Sequence, residues 1–515
     1  MKQFFLLAVC CCLFLQAQAQ RYTVSGYIKD AENGEALIGA TVSPVELSGT
    51  GTVSNVYGFY SLTLPKGDYQ IKYAYLGYET TVVDLNLSTD TSMSVELGNQ
   101  QVELEEIIIS DNRPEDNVQD VKMSREELKI EKIKTLPALF GEVDVLRTVQ
   151  LLPGVQSAGE GTTGLFVRGG SADQNLVLLD EATVFNPSHF LGFFSVFNPD
   201  AIKNLEIYKG GIPARFGGRL SSILDIQMKE GNNKKMSVSG GIGSISSRLT
   251  VEGPIIKDKS SFILSGRRTY ADLFLRLSNN DDINNNTLYF YDFNAKANYQ
   301  LNDKNRLFLS GYFGRDKFAI ADQFGLDWGN ATATLRWNSI LSDRIFLNTT
   351  LIYSNFDYGF DIDSEAAEFT WNSGLQEYST KLDFTFFANP KNTLDFGYQA
   401  ILHNFAPPSI IPMGDTNFSP LILDDKFALE QAVYVGNQQQ LNDKISLEYG
   451  LRYSAFQHIG PGRVFLYEEG VPFSDETITG TEEYETGENI EFYHGLEPRF
   501  AARDLLTPSS SLKLS

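Results

Sequence analysis

From Ser237 onward, apolar and polar side chains alternate in runs of about ten residues. Tyr291, Phe293, Ala295, Ala297 and Tyr299 alternate with Asp292, Asn294, Lys296, Asn298 and Gln300. Ala331, Ala333, Leu335 and Trp337 alternate with Thr332, Thr334 and Arg336, and the same pattern recurs around Leu382, Leu394 and Ile445. Successive side chains of a strand point to opposite faces, so each run makes a strand with one apolar and one polar face. A soluble sandwich and a membrane β-barrel both satisfy that pattern. The connections separate the two. Short turns fall at Lys257-Asp258-Lys259, Asn302-Asp303-Lys304-Asn305, Ser342-Asp343-Arg344, Asn389-Pro390-Lys391-Asn392 and Asn442-Asp443-Lys444. Longer polar joins, such as 278–286, 407–425 and 460–491, lie between them. Short turn then long loop is the asymmetry of an outer-membrane barrel.

Composition narrows the setting. The 515-residue chain carries a formal charge of −23, too acidic to suggest nucleic acid as a partner. Residues 1–19 read as a secretory signal: Lys2, an apolar core from Phe4 to Leu15, and Ala17-Gln18-Ala19 for cleavage. Cys10, Cys11 and Cys12 all lie inside it, and none sits at the cleavage point where a lipid anchor would need it. The mature chain therefore has no cysteine for a disulfide, a metal or a nucleophile. Four scattered histidines argue against metal clusters, and no catalytic constellation stands out, so neither an enzyme nor a cofactor is expected. Past the signal no apolar run reaches the ~18 residues of a membrane-spanning helix.

The stretch from Leu152 to Met228 alternates strand-like runs with glycine-rich turns. It includes Gly164-Leu165-Phe166-Val167-Arg168-Gly169-Gly170, Asn175-Leu176-Val177-Leu178-Leu179-Asp180, Leu205-Glu206-Ile207-Tyr208-Lys209-Gly210-Gly211 and Pro213-Ala214-Arg215-Phe216-Gly217-Gly218-Arg219. In order and content it resembles the plug domain of TonB-dependent outer-membrane receptors, and Val251 to Lys259 looks like their first barrel hairpin. The resemblance implies that Arg168 and Arg219 pair with acidic residues of the inner barrel wall; otherwise both are solvated loop residues. Gly159 to Gly164 matches G-x-G-x-x-G, but it leads into a strand and opens no helix, so no dinucleotide site follows.

Residues 21–98 alternate and turn like a seven-strand sandwich of immunoglobulin shape. They resemble the carboxypeptidase-regulatory-like domain at the front of Bacteroidetes outer-membrane receptors; no metal pair or nucleophile accompanies it, so the name implies no hydrolase. Residues 99–123 form a linker. Its segment Glu105, Glu106, Ile107, Ile108, Ile109 and Ser110 precedes a charged, proline-containing spacer and suits pairing with another protein's sheet edge. Its place looks like that of a TonB box; the alternative is a last strand of the sandwich. Ser124-Arg125-Glu126-Glu127 reads as a capping box opening a helix, and Leu139, Val143, Leu146 and Val149 as a second helical face, both packing at the periplasmic side.

The fold expected is mainly β: an N-terminal β-sandwich, an α+β plug domain over 124–232, then over 235–515 roughly half of a 22-stranded transmembrane β-barrel. Eleven full strands and a twelfth beginning at Ser510 are counted after Ser237, so about ten strands, on the order of 250 residues, are expected to be missing, with open edges near Ser237 and Ser515. The resemblance implies a receptor in the outer membrane, its front domain in the periplasm. Its partners would be TonB with the ExbB/ExbD energy complex, outer-membrane lipid and a small extracellular ligand of unread class. The alternatives are a SusC-like glycan or peptide importer with a lipoprotein lid, or a non-transporting surface β-protein. Trp328, Trp371 and Tyr289 are expected in membrane-interface girdles rather than against ligand.

Overall fold

The computed structural model describes residues 20–47, 49–100, 118, 121, 123–136, 142–157, 164–320, 323–364, 367–413 and 419–515. The chain divides into two compact units: residues 1–110 with 340–346 and 385–394, and the remainder.

The first unit is built on a sandwich of two four-stranded sheets. One pairs Arg21–Asp30 with Phe59–Pro65, Thr91–Ser92 and Val95–Leu97; the other runs in the order Thr52–Val53, Thr41–Pro44, Gly67–Ala74, Thr81–Leu87. That is eight strands where the turn spacing predicts seven, because a break after Ser92 splits the last extended run. Alternate residues of both sheets, among them Val24, Val42, Leu62, Ile71 and Leu87, are fully buried and make one core. Tyr60 and Tyr73 meet in it edge to face, their hydroxyls 2.8 Å apart, and Tyr60 donates to the Met93 carbonyl at 2.7 Å.

The second unit holds a small mixed sheet and a large antiparallel one. The small sheet runs Ala182–Thr183, Asn175–Leu179, Ser222–Met228, Ile202–Tyr208, Arg125–Lys129. Its faces bury Val177, Leu179, Leu205, Ile207, Leu224 and Ile226 against Val145, Leu146 and Val149 of the helix Val145–Gln150. Asp144 caps that helix by accepting from the Arg147 amide at 3.0 Å. The helix expected from Ser124 is instead the strand Arg125–Lys129, followed by one turn at Ile130–Ile133. Ser124 has a φ of 67°, outside the conformation of an N-cap, and the next five residues pair with Asn204 to Tyr208. A full ladder with two ion pairs from its first two residues, Arg125 to Glu206 at 2.8 Å and Glu126 to Lys209 at 2.5 Å, outweighs a local capping preference.

The large sheet has thirteen strands, paired in chain order from Ser237–Ile242 to Ser510–Leu514, with the hairpin Gly462–Tyr467 and Ile478–Tyr484 set off it. That is one more than the sequence count, because Ser237–Ile242 and Ser246–Ile256 turn tightly at 243–245. Its outermost strands are Ser237–Ile242 and Ser510–Leu514. The turns near Asp258, Asp303, Asp343, Pro390 and Asp443 share one end, and the long connections 270–286 and 460–488 share the other, together with Pro412 and Lys426 where two further strands end and begin. The sheet's burial is inverted relative to a soluble protein. Asp292 and Asn294 are each 2% exposed, whereas Tyr291 and Phe293 between them are 38% and 47% exposed. Thr332, Thr334, Arg336 and Asn338 are buried while Leu335 and Trp337 face outward.

One close approach in the sandwich gives a test. A Cβ on Gly26 would lie 2.0 Å from the Met93 carbonyl oxygen, so Gly26→Ala forces the first strand and the 91–97 segment apart. The cost is about 1–3 kcal/mol, read as faster amide hydrogen exchange across Arg21–Asp30 with exchange in Asn175–Leu179 unchanged.

Candidate functional site

Burying the polar face of a sheet leaves many donors and charges to satisfy. In the second unit the small-sheet domain satisfies them. It lies along the buried polar side chains of the large sheet and answers them with carboxylates.

The densest contact is at the tip of the hairpin joining Asn175–Leu179 to Ala182–Thr183. Asp180 and Glu181 both hold positive φ, 46° and 74°, a conformation that costs a non-glycine residue about 1 kcal/mol or more. That geometry aims both carboxylates at the wall. Asp180 meets the Lys296 ammonium at 2.8 Å while accepting from the Met228 amide at 3.0 Å. Glu181 meets Arg336 at 3.0 Å and Lys381 at 2.7 Å, and Asn348 and Thr350 donate to the same carboxylate. Four wall strands thus converge on two adjacent residues.

The same polarity recurs around the domain. Asp200 takes Arg248 at 2.8 Å and Lys134 at 2.6 Å, Glu230 takes Arg306 at 3.2 Å, and Glu142 lies 3.7 Å from Arg267 and accepts from the Ser246 hydroxyl. Arg267 also binds Asp292 at 2.7 Å and the Ser195 carbonyl at 2.8 Å. At His189 the polarity is reversed. His189, 1% exposed, sits with Nδ1 2.5 Å from Asp316 and Nε2 3.4 Å from Asp292, its ring stacked on Phe290 at 4.0 Å. Burial pushes the imidazole down, but Asp316 and Asp292 outweigh it and hold its pKa above the ordinary value. These contacts of Glu142 and His189 fall at the long-connection ends of the strands, so the helix Val145–Gln150 is not at the short-turn side expected for it.

The arginines singled out from the sequence stand elsewhere, which corrects the expected polarity of the interface. Arg168 is exposed, has a φ of 50° and donates to the Ser124 hydroxyl within its own domain. Arg219 is exposed, donates to the neighbouring Gly218 carbonyl at 2.8 Å, and makes no ion pair within 4.0 Å among the described residues. Trp328 is 5% exposed and its indole nitrogen lies 3.5 Å from the Ser188 carbonyl, on the buried face and not in an outward girdle. Tyr289 lies under the Arg268 guanidinium at 5.5 Å, and the Trp371 indole nitrogen is buried without a hydrogen-bond partner. The segment from Glu105 to Ser110 lies outside the described residues.

Within the domain two carboxylates face each other across the strands Ile202–Tyr208 and Ser222–Met228, where Glu206 pairs in register with Asp225. Burial pushes Glu206 up, but Arg125 and the Tyr208 hydroxyl override it and hold its pKa at about 2. Asp225 is pushed up to about 6, by burial first and by Glu206 and Glu181 after it, against the pull of Arg215 and Lys381.

A cavity of about 460 Å³ opens toward the long-connection end of the sheet. Phe185, Gly218 and Arg219 of the small domain form one side, and Glu377, His403, Glu430, Phe456, Tyr493 and Glu497 lie on the strands opposite.

Comparison with known proteins places these parts. Residues 24–109 match the CarboxypepD_reg-like domain, and residues 117–222 match the TonB-dependent Receptor Plug Domain. The first match takes in Glu105 to Ile109, which the linker reading had set apart from the sandwich. TonB-dependent receptor P3 of Formosa agariphila is 25% identical over 325 residues, covering 59% of this chain and 30% of that protein. Among solved structures, the copper transporter OprC aligns with a TM-score of 0.55 at 11% identity, over 75% of this chain and 61% of its own. The siderophore receptor PirA of Acinetobacter baumannii aligns at 0.52 and 15% identity, over 75% and 59%. The FrpB iron transporter of Neisseria meningitidis aligns at 0.53 and 13%, over 75% and 62%. The aligned region thus spans under a third of the curated relative and about three-fifths of the solved structures.

Two outcomes follow from the geometry. Glu181→Ala strands Arg336 and Lys381 together and should weaken the seating of the plug by about 3–5 kcal/mol. Amide exchange in Leu176–Leu179 and Leu224–Ile226 should accelerate in that variant and recover in part when Lys381→Met is added. Unchanged protection would mean that the hairpin tip bears no load. Asp225 has a folded pKa above its unfolded value, so its contribution favours folding below about pH 4 and is lost as pH rises through 6. Asp225→Asn should therefore raise resistance of the plug to urea at pH 8 by about 2–3 kcal/mol, with the gain vanishing near pH 4.

Proposed function

We propose that this chain, which carries a CarboxypepD_reg-like domain and the plug domain of TonB-dependent receptors, serves energy-coupled uptake of a ligand across the outer membrane. The observation that carries the reading is the inverted sheet. An exposed apolar face calls for lipid, and a buried polar face filled by a separately folded domain describes a gated channel better than a core. The long-connection end then faces outward, where the cavity beside Arg219 receives ligand. The short-turn end and the front sandwich face the periplasm. No step needs chemistry on the ligand.

Transport requires the plug to leave its seat in part, since a filled lumen passes nothing large. The carboxylate-to-cation contacts set what that movement must break. Ligand bound between Gly218–Arg219 and the wall strands is coupled to them through the same domain, because Ser222–Met228 continues from that loop and pairs with Asn175–Leu179, whose turn holds Asp180 and Glu181. The segment Glu105 to Ser110 supplies the handle: an extended apolar run adds to a sheet edge of TonB, and the ExbB/ExbD complex supplies the pull.

The handle is testable without knowing the ligand. The three cysteines lie in the signal, so Ile108→Cys introduces a single thiol into the mature chain. It should cross-link to a cysteine placed on the edge strand of TonB, and an added Ile107→Pro should abolish the product by removing a main-chain donor. If Ile108→Cys stays uncross-linked and protected from small thiol reagents, the segment belongs to the sandwich, as the extent of the first domain match allows.

A further inference from the structure

The cavity beside Arg219 is built in two layers. On four wall strands an apolar residue stands two places nearer the long-connection end than a polar one: Leu375 before Glu377, Phe405 after His403, Phe456 after Ser454, and Tyr493 before Glu497. Residues two apart share one face of a strand. The cavity therefore has a collar that is mostly aromatic, and beneath it a polar floor that Glu430 and Arg219 complete. Phe456 and Tyr493 stand opposite each other in register. The next pair on that face is Ser454 and Gly495, so little side chain fills the space below the two rings.

The charges of the floor balance. His403 lies between Glu377, 3.0 Å from its Nδ1, and Glu430, 3.6 Å from its Nε2, so the ring carries both protons as an imidazolium. That group of three keeps one negative charge in excess. Glu497 is matched by Arg499 at 2.6 Å and accepts from the Ser454 hydroxyl at 2.7 Å. Arg219 supplies the remaining positive charge and makes no ion pair among the described residues. Its neighbour Gly218, at a φ of 78°, brings the plug backbone so near the wall that a Cβ there would lie 3.3 Å from Oε1 of Glu430. Glu430 of the wall and Arg219 of the plug are thus opposite charges flanking one cavity, and they do not pair.

An anion placed on this floor would face three carboxylates, and a cation would face Arg219 and the imidazolium. A hydroxyl suits both signs at once. It has one proton to donate to Glu430 and lone pairs to accept from the Arg219 guanidinium, and each of those bonds is strengthened by the charge. A ring bearing several hydroxyls meets Glu430, Arg219 and Glu497 together. Its C–H groups are apolar with a slight positive charge, and they pack on the negative faces of Phe405, Phe456 and Tyr493 in the collar. The volume of about 460 Å³ is within the roughly 300–1,000 Å³ that encloses a small organic ligand.

We infer that the cavity binds an uncharged saccharide end-on: the hydroxyls of its terminal ring bridge Glu430 and Arg219, and the ring's C–H faces lie against Phe405, Phe456 and Tyr493. The bridge joins a wall strand to the plug loop, so the same hydroxyls that recognise the ligand touch the domain that must move. This rests on the uptake reading above and names the substrate class of that site.

Isothermal titration calorimetry of the purified chain, in a detergent without a sugar headgroup, tests it with maltose, cellobiose, lactose and xylobiose as probes. At least one should bind saturably. Derivatives of that disaccharide with a carboxylate or an ammonium on the terminal ring should each bind at least about tenfold more weakly, the loss of roughly one charged hydrogen-bonded contact. Glu430→Gln and Arg219→Gln should each cost the uncharged disaccharide a similar factor. Tyr493→Ala, at an exposed position, should weaken it too, whereas Tyr493→Phe should bind as the parent does, because the ring face and not the hydroxyl makes the contact. Amide exchange across Leu205–Ile207 identical to the parent's shows that each variant is folded. No saturable heat from any of the four at millimolar concentration would overturn the proposal, as would charged derivatives that bind as tightly as the uncharged sugar. If TonB cross-links at Ile108→Cys while no disaccharide binds, the uptake reading stands and a saccharide is the wrong ligand.

Discussion

The structure depends on a sheet whose buried face is polar. Asp292, Asn294, Lys296, Arg336, Asn338 and Asn348 turn inward from neighbouring strands, each nine-tenths buried or more. Such a face cannot be left dry and unpaired, because each unsatisfied group costs several kcal/mol. Nor can it close on itself, because its charged members are mostly cations: Arg248, Arg267, Lys296, Arg306, Arg336 and Lys381. The plug supplies the counter-charge. Its carboxylates at Glu142, Asp180, Glu181, Asp200 and Glu230 are spaced along the domain so that six wall strands each find one.

Buried ion pairs are poor sources of net stability, since desolvation offsets the attraction, but they punish any arrangement that separates them one-sidedly. That asymmetry ties the plug to a single seat. In its seat the plug sets five carboxylates against cations of the wall, and a partial shift strands several at once. The positive φ values at Asp180 and Glu181 fit the same logic: a strained tip persists because the surrounding contacts determine it. Asp225, held above its ordinary pKa within reach of Arg215, Lys381 and Glu181, marks where the network is least well compensated.

The first unit follows a different rule. Its sandwich buries apolar residues and exposes polar ones, and the hairpin turns 340–346 and 385–394 belong to its packing: Ile340, Phe346 and Phe387 cluster with Tyr27 and Phe59, and the Asp343 carbonyl accepts from Ser61 at 2.6 Å. The periodicity of the front module was legible because alternation and burial agree there. In the large sheet alternation was equally legible, yet which face is buried came from loop asymmetry, a property of connections and not of strands.

Sequence alone determined most of the strands and their turns, because period-two alternation and turn chemistry are local. It placed the edges of the sheet at Ser237 and Ser515, and missed one strand where the tight turn at 243–245 carries no strong breaker beyond glycine. It missed the strand at Arg125–Lys129, since a capping box is a local preference and the ladder to Ile202–Tyr208 spans some eighty residues of chain. It looked to the wrong sign of charge as well. Arg168 and Arg219 are conspicuous beside glycines, but which wall residue a loop faces is decided by how thirteen strands curve, and no local pattern encodes that. The acidic tip at Asp180-Glu181 was in plain view as a turn, and so were the cations of the wall. That they meet is decided only by the fold, because residues as far apart as Glu181 and Lys381 become neighbours when the polar face has to be filled.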